Sequence, residues 1–153
     1  MNLFNDSEKR YGGDYHNYIL EQWKTAVEMS NALSDRRTNM NNIFLTINAI
    51  LIALITFQLE KKSIGFSIVG ILICILWNIN LSNYKKLNSA KFKIINALEK
   101  KLPANVFDYE WELVGRGEDG KKYKRMSQIE KIVPYIFMAV YAVAIVYPLI
   151  FKA

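Results

Sequence analysis

A chain of 153 residues with 22% charged side chains, a formal charge of +6 and a mean hydropathy near zero has the averages of a small soluble domain. The distribution excludes that reading: no side chain is charged from Thr38 to Leu59, from Ser63 to Tyr84 or from Ile132 to Phe151. Each run reaches the roughly 20 residues that a helix needs to cross a ~30 Å hydrocarbon core, and three crossings in so short a chain leave one copy no room to enclose a water-filled path.

The N-terminal segment 1–42 begins with a polar stretch, Met1–Tyr15, which lacks the apolar core and small-residue cleavage site of a secretory signal. The first membrane helix is therefore expected to act as an uncleaved signal. Before it, Tyr15, Ile19, Trp23, Ala26, Met29 or Ser30, and Leu33 recur three to four residues apart, the period of an amphipathic helix. The first membrane helix is placed at 43–59 and carries Thr46, Asn48, Thr56 and Gln58. A short turn, Glu60–Ser63, then reverses the chain into a second membrane helix at 64–81, which forces an antiparallel hairpin. Gly65 and Gly70 permit close backbone approach on that second helix, and Asn78 and Asn80 lie towards its end.

The basic region 82–131 opens with a second stripe, Leu87, Ala90, Ile94, Leu98 and Leu102, which continues the helix until Pro103 stops it. The two stripes are expected to pack on each other as an antiparallel stalk, with Trp23 and Leu33 facing Ile94 and Leu98 from the same or an adjacent protomer. Val106–Val114 mixes aromatics with acids; Phe107, Trp111 and Val114 are spaced for a short helix, which is preferred to a strand. Gly115–Gly120 is turn material. Ser127 and Glu130 have capping-box spacing ahead of the third membrane helix at 132–151, inside which Pro134 should produce a kink. The fold class expected is an all-α membrane protein with three transmembrane helices, the first two a long hairpin extending into a cytoplasmic helical stalk.

Orientation follows from lysine and arginine. Five lie before the first run and twelve between the second and third, against Lys61, Lys62 and Lys152 on the other side. Basic residues near membrane ends stay cytoplasmic, so the N-terminus is expected in the cytoplasm and the C-terminus outside. Lys85, Lys86, Lys121, Lys122, Lys124 and Arg125 sit at headgroup level, where contact with anionic lipid contributes ~1 kcal/mol per basic residue. The same charge would suit nucleic acid, but no recognition motif accompanies it, and none is expected as a partner.

No constellation points to a reaction. His16 is the only histidine and Cys74 the only cysteine, too few for a zinc site; His16 reads as a polar residue at the start of the stalk. Gly115–Gly120 lacks the spacing and context of a phosphate-binding loop. The runs contain no Asp, Glu, Lys or Arg of the kind that marks ion-coupled transport. Asn48, Gln58, Asn78 and Asn80 serve interhelical hydrogen bonding, or else a polar ring around a pore in an oligomer. No catalytic residue, metal or cofactor is expected. Phe107, Tyr109, Trp111 and Leu113 have little core of their own in which to be buried, so they are expected at a subunit contact, with Arg116 placed to pair with Glu110 or Glu112 across it.

Leu87–Pro103, then Trp111-Glu-Leu-Val-Gly-Arg-Gly117, then Ile129–Phe137 resemble the RipA family of small octameric bacterial membrane proteins, and the likeness runs from about Tyr18 to Tyr147 with the Arg36-Arg37 pair included. The resemblance implies a homo-octamer in the bacterial cytoplasmic membrane and no catalytic residues. The function expected is a non-enzymatic membrane assembly, a scaffold or a pore or chamber. The alternative is a signal-responsive effector whose cytoplasmic crown binds a small ligand or a protein partner that the sequence does not identify.

Overall fold

The computed structural model describes residues 3–4, 8–57, 63–117 and 126–151. After a one-turn helix, Glu8–Tyr11, and a 3-10 turn, Gly12–Asp14, the main elements are α1 (Tyr15–Phe57), α2 (Ser63–Glu99), α3 (Val106–Leu113) and α4 (Met126–Phe151). No strand occurs among the described residues. The chain is an all-α membrane protein: Gly12–Phe57, Ser63–Glu99 and Ile129–Ile150 are each long and apolar enough to cross a membrane.

Helix α1 contains neither Pro nor Gly, and nothing interrupts its ladder across 43 residues. Helix α2 ends four residues before Pro103, its last turn tightened by i→i+3 bonds from the amides of Lys101 and Leu102 to the carbonyls of Leu98 and Glu99. Helix α4 holds Pro134 and Pro148 in its interior and continues through both. Its described part begins at Met126 and includes Ser127.

The chain divides into two compact units. The charged unit comprises Met1–Asp35 and Lys86–Lys124, the apolar unit Arg36–Lys85 and Arg125–Ala153.

In the charged unit the inner line of α1 runs through Ile19, Trp23, Ala26, Ser30 and Leu33; at the position left open, Ser30 is buried and Met29 is 54% exposed. On α2 the buried line runs through Ile95, Leu98 and Glu99. Leu87 and Ile94, expected on the same seam as Leu98, are 52% and 41% exposed within the chain. Within the chain the buried side of α2 instead includes a carboxylate, Glu99, which hydrophobic spacing passes over, and the Leu87–Ile94 line is left to an adjacent protomer or to solvent.

In the apolar unit the core is Ile55, Cys74 and Tyr141, packed with Leu51, Ile52, Ile71, Phe137, Met138 and Ala144. The remaining apolar surface of the crossings faces outward: only 11%, 28% and 17% of the three apolar windows is buried within the chain. Lipid or other subunits must cover the rest.

Candidate functional site

The apolar unit is joined by a polar knot. Asn48 is fully buried on α1 and turns its amide nitrogen back to the carbonyl of Phe44 at 2.7 Å. That leaves Oδ1 as an acceptor, and two donors from other helices reach it. The Cys74 thiol of α2 donates at 3.2 Å and the Tyr141 hydroxyl of α4 at 2.8 Å; the same hydroxyl lies 3.3 Å from the Asn48 carbonyl. One amide thus ties three helices where no water can substitute for a missing partner. Gly70 makes the approach possible: a Cβ there would stand 2.3 Å from Tyr141 Cζ, so the ring lies directly on the α2 backbone.

A second layer repeats this arrangement with aromatics. The Trp77 indole nitrogen donates to Asn41 Oδ1 at 2.9 Å. Its ring stacks on Phe44 at 5.6 Å and tilts against Phe137 at 6.1 Å. At the start of α4, Glu130 accepts from Arg37 of α1 in a partly buried ion pair. Glu130 had been expected to cap its own helix. In the structure Glu130 serves as the counter-ion of Arg37.

In the charged unit, Glu99 is fully buried and accepts the amide protons of Phe107 at 3.0 Å and Asp108 at 3.4 Å. It thereby caps α3 from outside that helix, satisfying two of its open amides and placing negative charge at its positive end. Asn105, the residue at the N-cap itself, makes no side-chain bond to the amides it would cap. Phe107 packs between Trp23 of α1 and Phe92 of α2, with ring centroids 5.8 and 5.9 Å away.

Beyond α3, Gly115 and Arg116 both adopt positive φ, at 68° and 51°. This left-handed pair turns the chain sharply, and at Arg116 the conformation is one that L side chains rarely take. Within the chain the Arg116 guanidinium donates to Asp108 Oδ1 at 3.2 Å.

The other expected site residues are scattered. Tyr109 and Leu113 are 63% and 62% exposed on α3, and Trp111 is at the border of exposure. Asn80 donates back to the Leu76 carbonyl of its own helix, and Asn78 is half-buried. Lys85 is half-buried and Lys86 exposed. Gln58, Lys121, Lys122, Lys124 and Arg125 lie outside the described residues. Among the described residues, no group of three His, Cys, Asp or Glu side chains is placed to hold a metal ion.

Sequence reasoning missed Glu99, Asn41, Cys74 and the direct bond of Tyr141 to Asn48. Gly70, a small residue in an apolar run, was the available signal for that close contact.

A family model matches residues 20–150: the octameric membrane protein family, 8xMP. The chain belongs to that family. No curated protein and no solved structure matches it. Octameric assembly and membrane insertion are therefore properties of its family, and the outward apolar surface of the three crossings fits both.

Proposed function

We propose that this protein is a RipA-type, non-enzymatic homo-octamer of the bacterial cytoplasmic membrane, with its N-terminus inside and C-terminus outside, acting as a structural scaffold. The observation that carries the scaffold reading is where the polar groups go. Asn48, Cys74 and Tyr141 bond to one another inside the protomer, as do Asn41 with Trp77 and Arg37 with Glu130. They lock a rigid three-helix subunit and leave its outside apolar. A ring of such subunits with an open centre would be a pore or chamber, and liposome conductance separates the two. Octamer-sized particles that leave liposomes tight support the scaffold, conductance of inorganic ions moves the assignment to a pore, and monomers in mild detergent overturn both.

A second reading has its own observation. A groove of about 350 Å³ in the charged unit is lined by His16, Leu20, Trp23, Pro103 and Val106. Trp23 is one of its lining residues, and its buried indole nitrogen has no acceptor among the described residues. This favours an effector that takes a small, largely apolar ligand bearing one hydrogen-bond acceptor. Such a ligand should raise the melting temperature of the solubilised protein but not that of a Trp23→Phe variant.

A further inference from the structure

Helix α3 has two apolar sides. Phe107 is turned inwards between Trp23 and Phe92. Val106, Tyr109 and Leu113, spaced i, i+3 and i+7, form the other side and are 57%, 63% and 62% exposed. The acids of the helix flank that outer side: Asp108 is taken by Arg116, while Glu110 and Glu112 are exposed.

Helix α2 presents the opposite chemistry. From Lys85 to Lys101 there are six lysines and a single acid, Glu99, which is buried as the α3 cap. Leu87, Ala90 and Ile94 form an exposed apolar line, with Lys86 and Lys93 exposed along its edge. At 3.6 residues per turn, Phe92 stands about 150° around α2 from the Leu87–Ile94 line. Phe92 is the residue on which α3 packs through Phe107. The basic line on α2 therefore faces away from the side on which α3 packs, and the acidic outer side of α3 is exposed as a separate patch.

Two different patches, one acidic and one basic, are what a ring requires, because a closed cycle of more than two copies needs a head-to-tail contact. We infer that the Val106–Tyr109–Leu113 side of α3 docks on the Leu87–Ala90–Ile94 line of the neighbouring subunit's α2, with Glu110 and Glu112 answering Lys86 and Lys93. The inference rests on the octameric scaffold reading and specifies its contact.

Cross-linking tests it in the full-length protein in membranes. Leu113→Cys and Ile94→Cys in one chain, joined by a short bifunctional thiol reagent, should give a ladder reaching octamer size, while each single variant stays monomeric. Cys74 is fully buried and serves as the unreactive background, checked in the unsubstituted chain. In parallel, Glu110→Lys with Glu112→Lys, and separately Lys86→Glu with Lys93→Glu, should each shrink the particle, and the fourfold combination should restore it. No ladder from the double variant, or octamers surviving both reversals, would overturn this contact while leaving the octamer intact. Monomers from the unsubstituted chain would instead remove the octameric reading itself, and this contact with it.

Discussion

The ring of Tyr141 lies against the bare backbone of Gly70, so close that a single added carbon would stand 2.3 Å from its Cζ. Gly65, five residues earlier on the same helix, has nothing within 4 Å of the same position. The pair makes a controlled comparison. Gly70→Ala must push a rigid ring carbon away and should cost about 1–3 kcal/mol. Gly65→Ala should be neutral or should stabilise by roughly 0.5–1 kcal/mol through helix propensity. Thermal unfolding in mild detergent checks both; equal melting temperatures would show that α4 does not sit on α2 at Gly70.

Asn48 and Tyr141 should behave as a coupled pair. Tyr141→Phe removes one donor and leaves Asn48 Oδ1 with the Cys74 thiol, at about 0.5–1.5 kcal/mol. Asn48→Leu strips the acceptor from two buried donors at once and should cost more. The double variant should cost less than the sum, because an absent hydroxyl cannot miss its acceptor. Strict additivity in the denaturation cycle would mean the bond contributes nothing.

These contacts show how far the sequence could be read. The three crossings, the hairpin and the short α3 helix were legible, because charge segregation and apolar spacing are properties of the chain alone. The buried place of Glu99 and the pairing of Arg37 with Glu130 were not. Each turns on a charged residue, Glu99 or Arg37, that spends its charge inside the fold, and spacing arguments assign such residues to the surface. Asn48 was visible as an intramembrane polar group, but its partners were not, since Cys74 and Tyr141 both pass for ordinary packing residues.

Glu99 holds α3 in place through two amides, so its loss should be felt 8 residues away. Glu99→Ala should destabilise by about 1–2 kcal/mol, the range for a lost helix cap. Glu99→Gln keeps an acceptor oxygen and should lose less. Hydrogen exchange at the Phe107 and Asp108 amides is the direct measurement. Unchanged protection in the alanine variant would show that the carboxylate does not cap α3.

The Arg37–Glu130 pair predicts an asymmetric result. Removing either charge leaves the other partly buried and unpaired, which costs more than the pair itself contributes. Glu130→Ala and Arg37→Ala should each lower the melting temperature, and the exchanged pair Arg37→Glu with Glu130→Arg should recover part of the loss. Failure of the exchange to recover anything would indicate that each residue acts through other neighbours.

Orientation is open to a simple measurement. With seventeen of twenty lysines and arginines assigned to one side, a reporter fused after Ala153 should lie outside the cytoplasm and one inserted between Gly117 and Gly120 inside. The reverse pattern would overturn the proposed topology.

The tie between Asn48 and Tyr141 spans 93 positions, and this has a bearing on how the protein is made. Synthesis delivers the first two crossings well before the third. During that interval Asn48 Oδ1 has only the Cys74 thiol, and the groove at Gly70 stands empty in the bilayer. The hairpin that waits there is an unfinished product with one acceptor half satisfied and a slot shaped for an aromatic ring. A chain truncated before α4 would carry that slot permanently, open to any passing helix that can offer a hydroxyl, which makes the last crossing the step that turns a promiscuous intermediate into a selective subunit.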